Sequence, residues 1–373
     1  MILCMYPITT SYHYQNSFTS RRLYMYKLST QSLKPGMVLF DDLYTPASAL
    51  LFKANTSLTQ ENIQSLYEYN FDEIALSEPD EINMTHYKYL HQNPHFQHFN
   101  EVYASTLTLF HKIMRTLDTG LELNIVKLLS LRDDIMSAVI NEEQLLDYLY
   151  NMVPNENEIT YNHCFNCGLL CYVFGKWTGI EGEDLDNLTV SGFIFDIGKT
   201  KLSEELLWKP DKLSPEEYIQ MQHHIHLGYE LVKSRKMPPH VVSVMIMHHE
   251  RCDGSGYPAR LKENRIDPFA LIAAIADTYE AMTHPRAQRV ALTPFQAIRV
   301  FEEQGFGLYG PNIAPILTRI AKMYVDRRVC VTGNLDGRIT EIHDDALSRP
   351  TLFINNVFYD LRTKQAAEIT RMV

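Results

Sequence analysis

The chain has 373 residues, carries a formal charge of −11, and is 45% hydrophobic and 21% charged. That length predicts two or three domains around a sizeable core. The acidic balance excludes a non-specific nucleic-acid binder, and no run reaches the apolar length of a membrane span. Six cysteines in so long a chain do not make a disulfide framework, which points to a reducing, cytoplasmic setting.

In chain order, residues 1–25 read as a tail or as a start placed upstream of the true one at Met25. They have no basic opening and no sustained apolar core, so they do not make a convincing signal peptide. Residues 26–80 predict a small α/β unit. Pro35-Gly36 marks a turn, Met37 to Phe40 and Ala49 to Phe52 are short strands, and Thr59 caps a helix with Ile63, Leu66 and Tyr67 on one face. A further strand, Phe71 to Leu76, closes the unit. Residues 81–150 are a helical connector, with periodic runs over Phe99 to Leu117 and Leu121 to Asn141 that break at Thr119-Gly120. Its histidines, His95, His98 and His111, carry no assigned role.

Residues 151–325 form the main helical domain. A helix opening at Ile159 carries Cys167, Leu170, Cys171 and Phe174 on one face, with His163 on that same face. A lone histidine there is either a satisfied core residue or a ligand. Cys164, Cys167 and Cys171 at helical spacing read as small buried residues. Ser214 caps a helix with Pro215 in its first turn. Later helices are expected over Pro294 to Glu303 and Pro311 to Val325. Residues 326–373 change character into a small β appendage, with strands near Val329 to Val331 and Arg338 to Ile342. A two-residue turn, Asn355-Asn356, there joins Leu352–Ile354 to Val357–Tyr359.

One stretch organises the chemistry. His248 and His249 end an apolar helical run, Val241 to Met247, and a turn follows, Asp253-Gly254-Ser255-Gly256-Tyr257-Pro258. Phe269 to Ala276 is almost wholly apolar and ends on Asp277. A carboxylate closing a buried helix needs a cation or hydrogen bonds, and imidazoles with carboxylates are the usual ligands of zinc, iron and manganese. Asp277 could equally cap or salt-bridge locally, with the two histidines as ordinary helix-end residues.

The run HHERCDGSGYP, followed by ADTYEAMT and Arg286, resembles the HD-GYP family signature, whose members are bacterial metal-dependent phosphodiesterases acting on cyclic di-GMP. The resemblance implies a mainly α fold: a helical HD-type metal-dependent phosphohydrolase domain, a small N-terminal α/β accessory domain of regulatory or interaction role, and a small C-terminal β appendage. The family motif His-Asp-x-Gly-Lys falls on Phe195-Asp196-Ile197-Gly198-Lys199, so a ligand histidine is replaced by a ring that cannot ligate. In HHIHLG the family spacing to Gly228 selects His224 over His223 and His226. Where many members carry a glutamate for a third metal, this chain has Ile159.

Carried over residue by residue, the resemblance implies one metal held by Asp196, His224, His248 and His249. It implies a second held by His163, Asp196 and Asp277, one ligand short. Lys199, Arg286 and Arg289 match positions that contact substrate phosphate, and Tyr257 lies in the turn that shapes the nucleotide pocket. The implied activity is two-metal hydrolysis of cyclic di-GMP to pGpG or GMP, with iron or manganese. It needs no DNA, RNA or membrane partner, though signalling proteins are possible ones. The alternative is a degenerate member that senses cyclic di-GMP or docks other proteins. A third reading is a phosphohydrolase for another nucleotide.

Overall fold

In a computed structural model, residues 25–30, 33, 37–45, 50–53, 56, 58–77, 90–119, 122–152, 159–207, 209, 212–284, 291–333, 335–364 and 367–373 are described. The expected tail, the Pro35-Gly36 turn, Arg286 and Arg289 lie outside them. The chain divides into two compact units, one within residues 7–92 and one over residues 93–373.

The smaller unit pairs β1 (Met25–Ser29), β5 (Glu73–Ser77) and β2 (Val38–Leu39) into an antiparallel sheet, beside a hairpin of β3 (Leu43–Tyr44) and β4 (Leu50–Phe52). Its helix α1 (Gln60–Glu68) starts at Thr59, whose side chain accepts from the Asn62 amide while Asn62 reaches back, a reciprocal capping box. Leu39, Leu58, Ile63, Leu66, Ile74 and Leu76 make its core. The strand β1 was not foreseen.

The larger unit is helical. It begins with α2 (Pro94–Arg115), α3 (Ile125–Ser137) and α4 (Glu142–Asn151). The sequence predicts one helix running to Asn141, but the chain turns after Ser137. Asn141 instead accepts from the Gln144 amide at 2.9 Å and caps α4, the usual preference of asparagine for a cap over a helix interior. Next come α5 (Ile159–Trp177), α6 (Gly182–Ile194), α7 (Glu204–Leu207), α8 (Pro215–Gln222), α9 (His224–Val232), α10 (Pro239–Met247), α11 (Pro268–Thr283), α12 (Pro294–Gln304) and α13 (Ile313–Lys322). Phe110, Phe165 and Phe193 meet at centroid distances of 5.1–5.7 Å and tie α2, α5 and α6 together.

After α13 the chain forms a five-stranded antiparallel sheet of β6 (Arg328–Val331), β7 (Leu335–His343), β8 (Ala346–Ile354), β9 (Val357–Asp360) and β10 (Ile369–Met372), in the order β10-β6-β7-β8-β9. Asn355 and Asn356 take φ of 49° and 64° between β8 and β9. Both are left-handed, as the tight hairpin turn requires. The molecule is thus mainly α with small β-containing flanks. Among the described residues no helix is long and apolar enough to cross a membrane.

Candidate metal centre

Five segments deliver polar side chains to one buried place. Asp196 follows the end of α6 and leads into a 3-10 turn, Ile197–Lys201. His224 opens α9, and His248 and His249 follow the last residue of α10. His163 comes from α5, and Asp277 from α11, which is buried from Phe269 to Thr283. Two glycines permit this convergence. A methyl at Gly198 would lie 1.9 Å from the His224 carbonyl oxygen, so only glycine lets the 3-10 turn press against α9 and set Asp196 beside His224. A methyl at Gly256 would lie 2.5 Å from the His249 carbonyl oxygen, and this close return brings Tyr257 onto His249, ring on ring at 4.6 Å.

The two oxygens of Asp196 face different partners. Oδ1 lies 3.2 Å from His224 Nε2 and 3.4 Å from His248 Nε2; Oδ2 lies 3.4 Å from His163 Nε2 and forms an ion pair with Lys199. His224 Nδ1 donates to the Met221 carbonyl at 2.7 Å, and His248 Nδ1 faces the carbonyls of Met245 and Val244 at 3.1 and 3.2 Å. With Nδ1 turned outward to these carbonyls, both rings point Nε2 inward, and the two Nε2 atoms stand 3.5 Å apart. Asp196 Oδ1 and His249 Nε2 are buried without a hydrogen-bond partner. Electron-rich atoms gathered this closely repel unless a cation lies among them, and the fixed outer Nδ1–H bonds are those of metal-ligating histidines. The residues therefore fit a divalent ion. Ligating atoms of Asp196, His224, His248 and His249 lie within 4.8 Å of one another, as do those of His163, Asp196 and Asp277.

Electrostatics support the same reading. Burial opposes ionisation of Asp196, yet Lys199 and His163 outweigh it and hold the carboxyl well below its ordinary range. Burial lowers His224, and burial with the neighbouring His248 and His224 rings pushes His249 well below 6.5, so both stay neutral, as ligands must be. His163 differs. Burial disfavours its charged form, but Cys167, Glu280, Asp196 and Asp277 around it hold its pKa well above 6.5. Protein stripped of metal by a chelator is expected to keep His163 as an imidazolium at neutral pH, and an ion bound through Nε2 must expel that proton. Calorimetric titration in two buffers of different ionisation enthalpy should show about one proton released per ion bound there. Zero release would remove His163 from the ligand set.

Phe195 is fully buried, its ring edge-on to His248 at 4.7 Å and to His163 at 5.8 Å. It stands between the two donor groups and adds no ligand. His223 and His226 are exposed. Lys199 is brought to the site, and the structure places Tyr257 against its edge, whereas Arg286 and Arg289 fall outside the described residues.

Three side chains escaped the sequence reading. Glu280 Oε2 lies 2.5 Å from His163 Nδ1, too close for an ion to bind both at ~2.0–2.2 Å, so this is a hydrogen bond and not a further metal site. Its signal was the one used for Asp277: a carboxylate on an apolar, buried helix needs a partner. Asn166 supports Glu280 from α5 and left no such signal. Glu250 is also buried, and its carboxylate accepts the amides of Ala259 at 2.7 Å and Leu261 at 2.8 Å, clamping the turn that carries Tyr257. Glu250→Ala should lower stability by about 2 kcal/mol or more, read as a fall in thermal midpoint, because two amides lose a charged acceptor.

A buried aspartate shared between histidine clusters on a helical scaffold is a donor set that fits divalent metal, and a family model described as an HD domain matches residues 147–313. Similar proteins include a cyclic di-GMP phosphodiesterase of Thermotoga maritima, 30% identical over 48% of this chain and 49% of its own length. Cyclic di-GMP phosphodiesterase PA4108 of Pseudomonas aeruginosa is 27% identical over 62% and 55%. The 3'3'-cGAMP-specific phosphodiesterase 1 of Vibrio cholerae is 30% identical over 47% and 41%. The chain spans about half the length of the curated relatives it matches. Within residues 147–313 the chain resembles the HD-GYP signature, with Phe195-Asp196 where the motif has His-Asp.

Proposed function

We propose that this chain hydrolyses a cyclic dinucleotide, cyclic di-GMP, to pGpG or GMP in bacterial signalling. The observation that carries this reading is Asp196, one buried carboxylate whose two oxygens face separate donor groups. Divalent ions, iron or manganese by the donor set, supply Lewis acidity to a phosphoryl oxygen and acidify water when bound. Asp196, His224, His248 and His249 would hold one ion, and His163, Asp196 and Asp277 the other. Lys199, partly exposed beside Asp196, supplies positive charge toward a phosphodiester, a task we also assign to Arg286 and Arg289. Tyr257, stacked on His249 and edge-on to Tyr218 at 6.0 Å, offers an aromatic wall for a guanine base. The described cysteines are all free and buried, which suits a reducing cytoplasm.

The test is incubation of the full chain, loaded anaerobically with Fe(II) or Mn(II), with cyclic di-GMP and chromatography of the products. Turnover supports the reading. Ions bound but cyclic di-GMP untouched would overturn the substrate assignment, and 3'3'-cGAMP assayed in parallel separates the two cyclic dinucleotides. Phe195 favours a second reading, binding without turnover, whose signature is about one ion per chain and saturable cyclic di-GMP binding.

A further inference from the structure

Behind His163 runs a continuous line of buried hydrogen bonds that ends outside the family-matched segment. Tyr103, on α2, donates its hydroxyl to Asn166 Oδ1 at 2.6 Å. Asn166 Nδ2 donates to Glu280 Oε1 at 3.0 Å, and Glu280 Oε2 meets His163 Nδ1 at 2.5 Å. On its other nitrogen, His163 faces Asp277 at 3.1 Å and Asp196 at 3.4 Å. All the links are buried.

The spacing gives the line its form. Asn166 follows His163 by three residues on α5, and Glu280 follows Asp277 by three on α11, so each helix presents one donor and one support on the same face. Two rungs result, His163 to Asp277 and Asn166 to Glu280, with the diagonal Glu280–His163 joining them. The Tyr103 hydroxyl settles the direction of the Asn166 amide. While Oδ1 accepts from the phenol, Nδ2 must face the Glu280 carboxylate. Without the hydroxyl, Oδ1 is left buried with no donor, and the amide that holds Glu280 loses its anchor.

We infer that Tyr103 is a positioning residue for metal binding at His163, acting through Asn166 and Glu280. The inference rests on the reading of His163, Asp196 and Asp277 as one of two ion sites. Such outer partners fix the tautomer and orientation of a ligating imidazole and sharpen its affinity. Tyr103→Phe removes only the hydroxyl and keeps the ring that packs on Phe165 at 5.4 Å and Phe99 at 5.9 Å.

The experiment titrates the chelator-treated full chain with Mn(II), and separately with Co(II) followed by its visible absorption, without nucleotide. Wild type should show two binding steps. Tyr103→Phe is expected to weaken one step by about 10-fold or more and alter its Co(II) spectrum, while the other step stays unchanged. In a Glu280→Gln background, adding Tyr103→Phe should cost little further, since the line is already cut. Equal weakening of both steps, or a full additive loss in the double variant, would show a general structural role and overturn the inference, as would two unchanged steps. A single step in wild type would instead refute the two-ion reading beneath it.

Discussion

Asp196→Ala is expected to abolish binding of both ions and to lower cyclic di-GMP turnover by at least about 10²–10³-fold, the scale on which one preorganised charge-stabilising group counts. This residue matters more than any single histidine because it alone belongs to both donor groups. Loss of His249 would leave three donors around one ion and none removed from the other. Loss of Asp196 strips a carboxylate oxygen from each and leaves Lys199 without its partner. Metal content by elemental analysis, beside turnover, checks the expectation. Asp196→Asn controls for shape, since it fills the same buried volume while giving up the charge that binds the ions. An Asp196→Ala protein that retained two ions and full activity would dissolve the proposed centre.

Phe195→His should act in the opposite direction. The phenyl ring occupies a fully buried place between His163 and His248, and an imidazole there restores a donor to the group of His163, Asp196 and Asp277. Affinity for that ion should rise at least 10- to 100-fold, the range already set by outer partners of ligands, and turnover should rise with it. A second readout is independent of catalysis. A buried imidazole without a partner is destabilising by about 1–3 kcal/mol, so the variant should melt below wild type in chelator and recover when metal is added. Turnover by wild type that Phe195→His merely increases marks an enzyme working with one ligand fewer. Activity confined to Phe195→His marks a degenerate centre, and the function then moves to binding.

Much of this architecture was legible in the chain because its signals are local. The capping boxes at Thr59 and Ser214, the Asn355-Asn356 turn and the apolar run of α11 each depend on neighbours a few residues away. His248, His249 and Asp277 stood out because polar groups closing apolar segments are conspicuous, whereas Asp196 and His163 were singled out by resemblance to the family motif. His224 needed more: its neighbours His223 and His226 are chemically identical, and only the family spacing to Gly228 distinguished it. The structure buries His224 and leaves the other two exposed. The Tyr103–Asn166–Glu280 line was illegible for a physical reason. Its members are 63 and 114 residues apart in sequence, and nothing local tells a tyrosine or asparagine on an apolar face which partner it will meet. The turn after Ser137 was missed because apolar periodicity continues across it, and a single capping asparagine decides the break.

The position of Tyr103 bears on how this protein should be handled at the bench. The family match begins at residue 147, well past the end of α2 at Arg115. A fragment trimmed to the matched segment keeps His163, Asp196, His224, His248, His249 and Asp277. It discards Tyr103 and, with α2, the Phe110 ring that packs against Phe165 and Phe193. Such a fragment would understate the metal content of the whole chain, and its silence in an assay would record where it was cut.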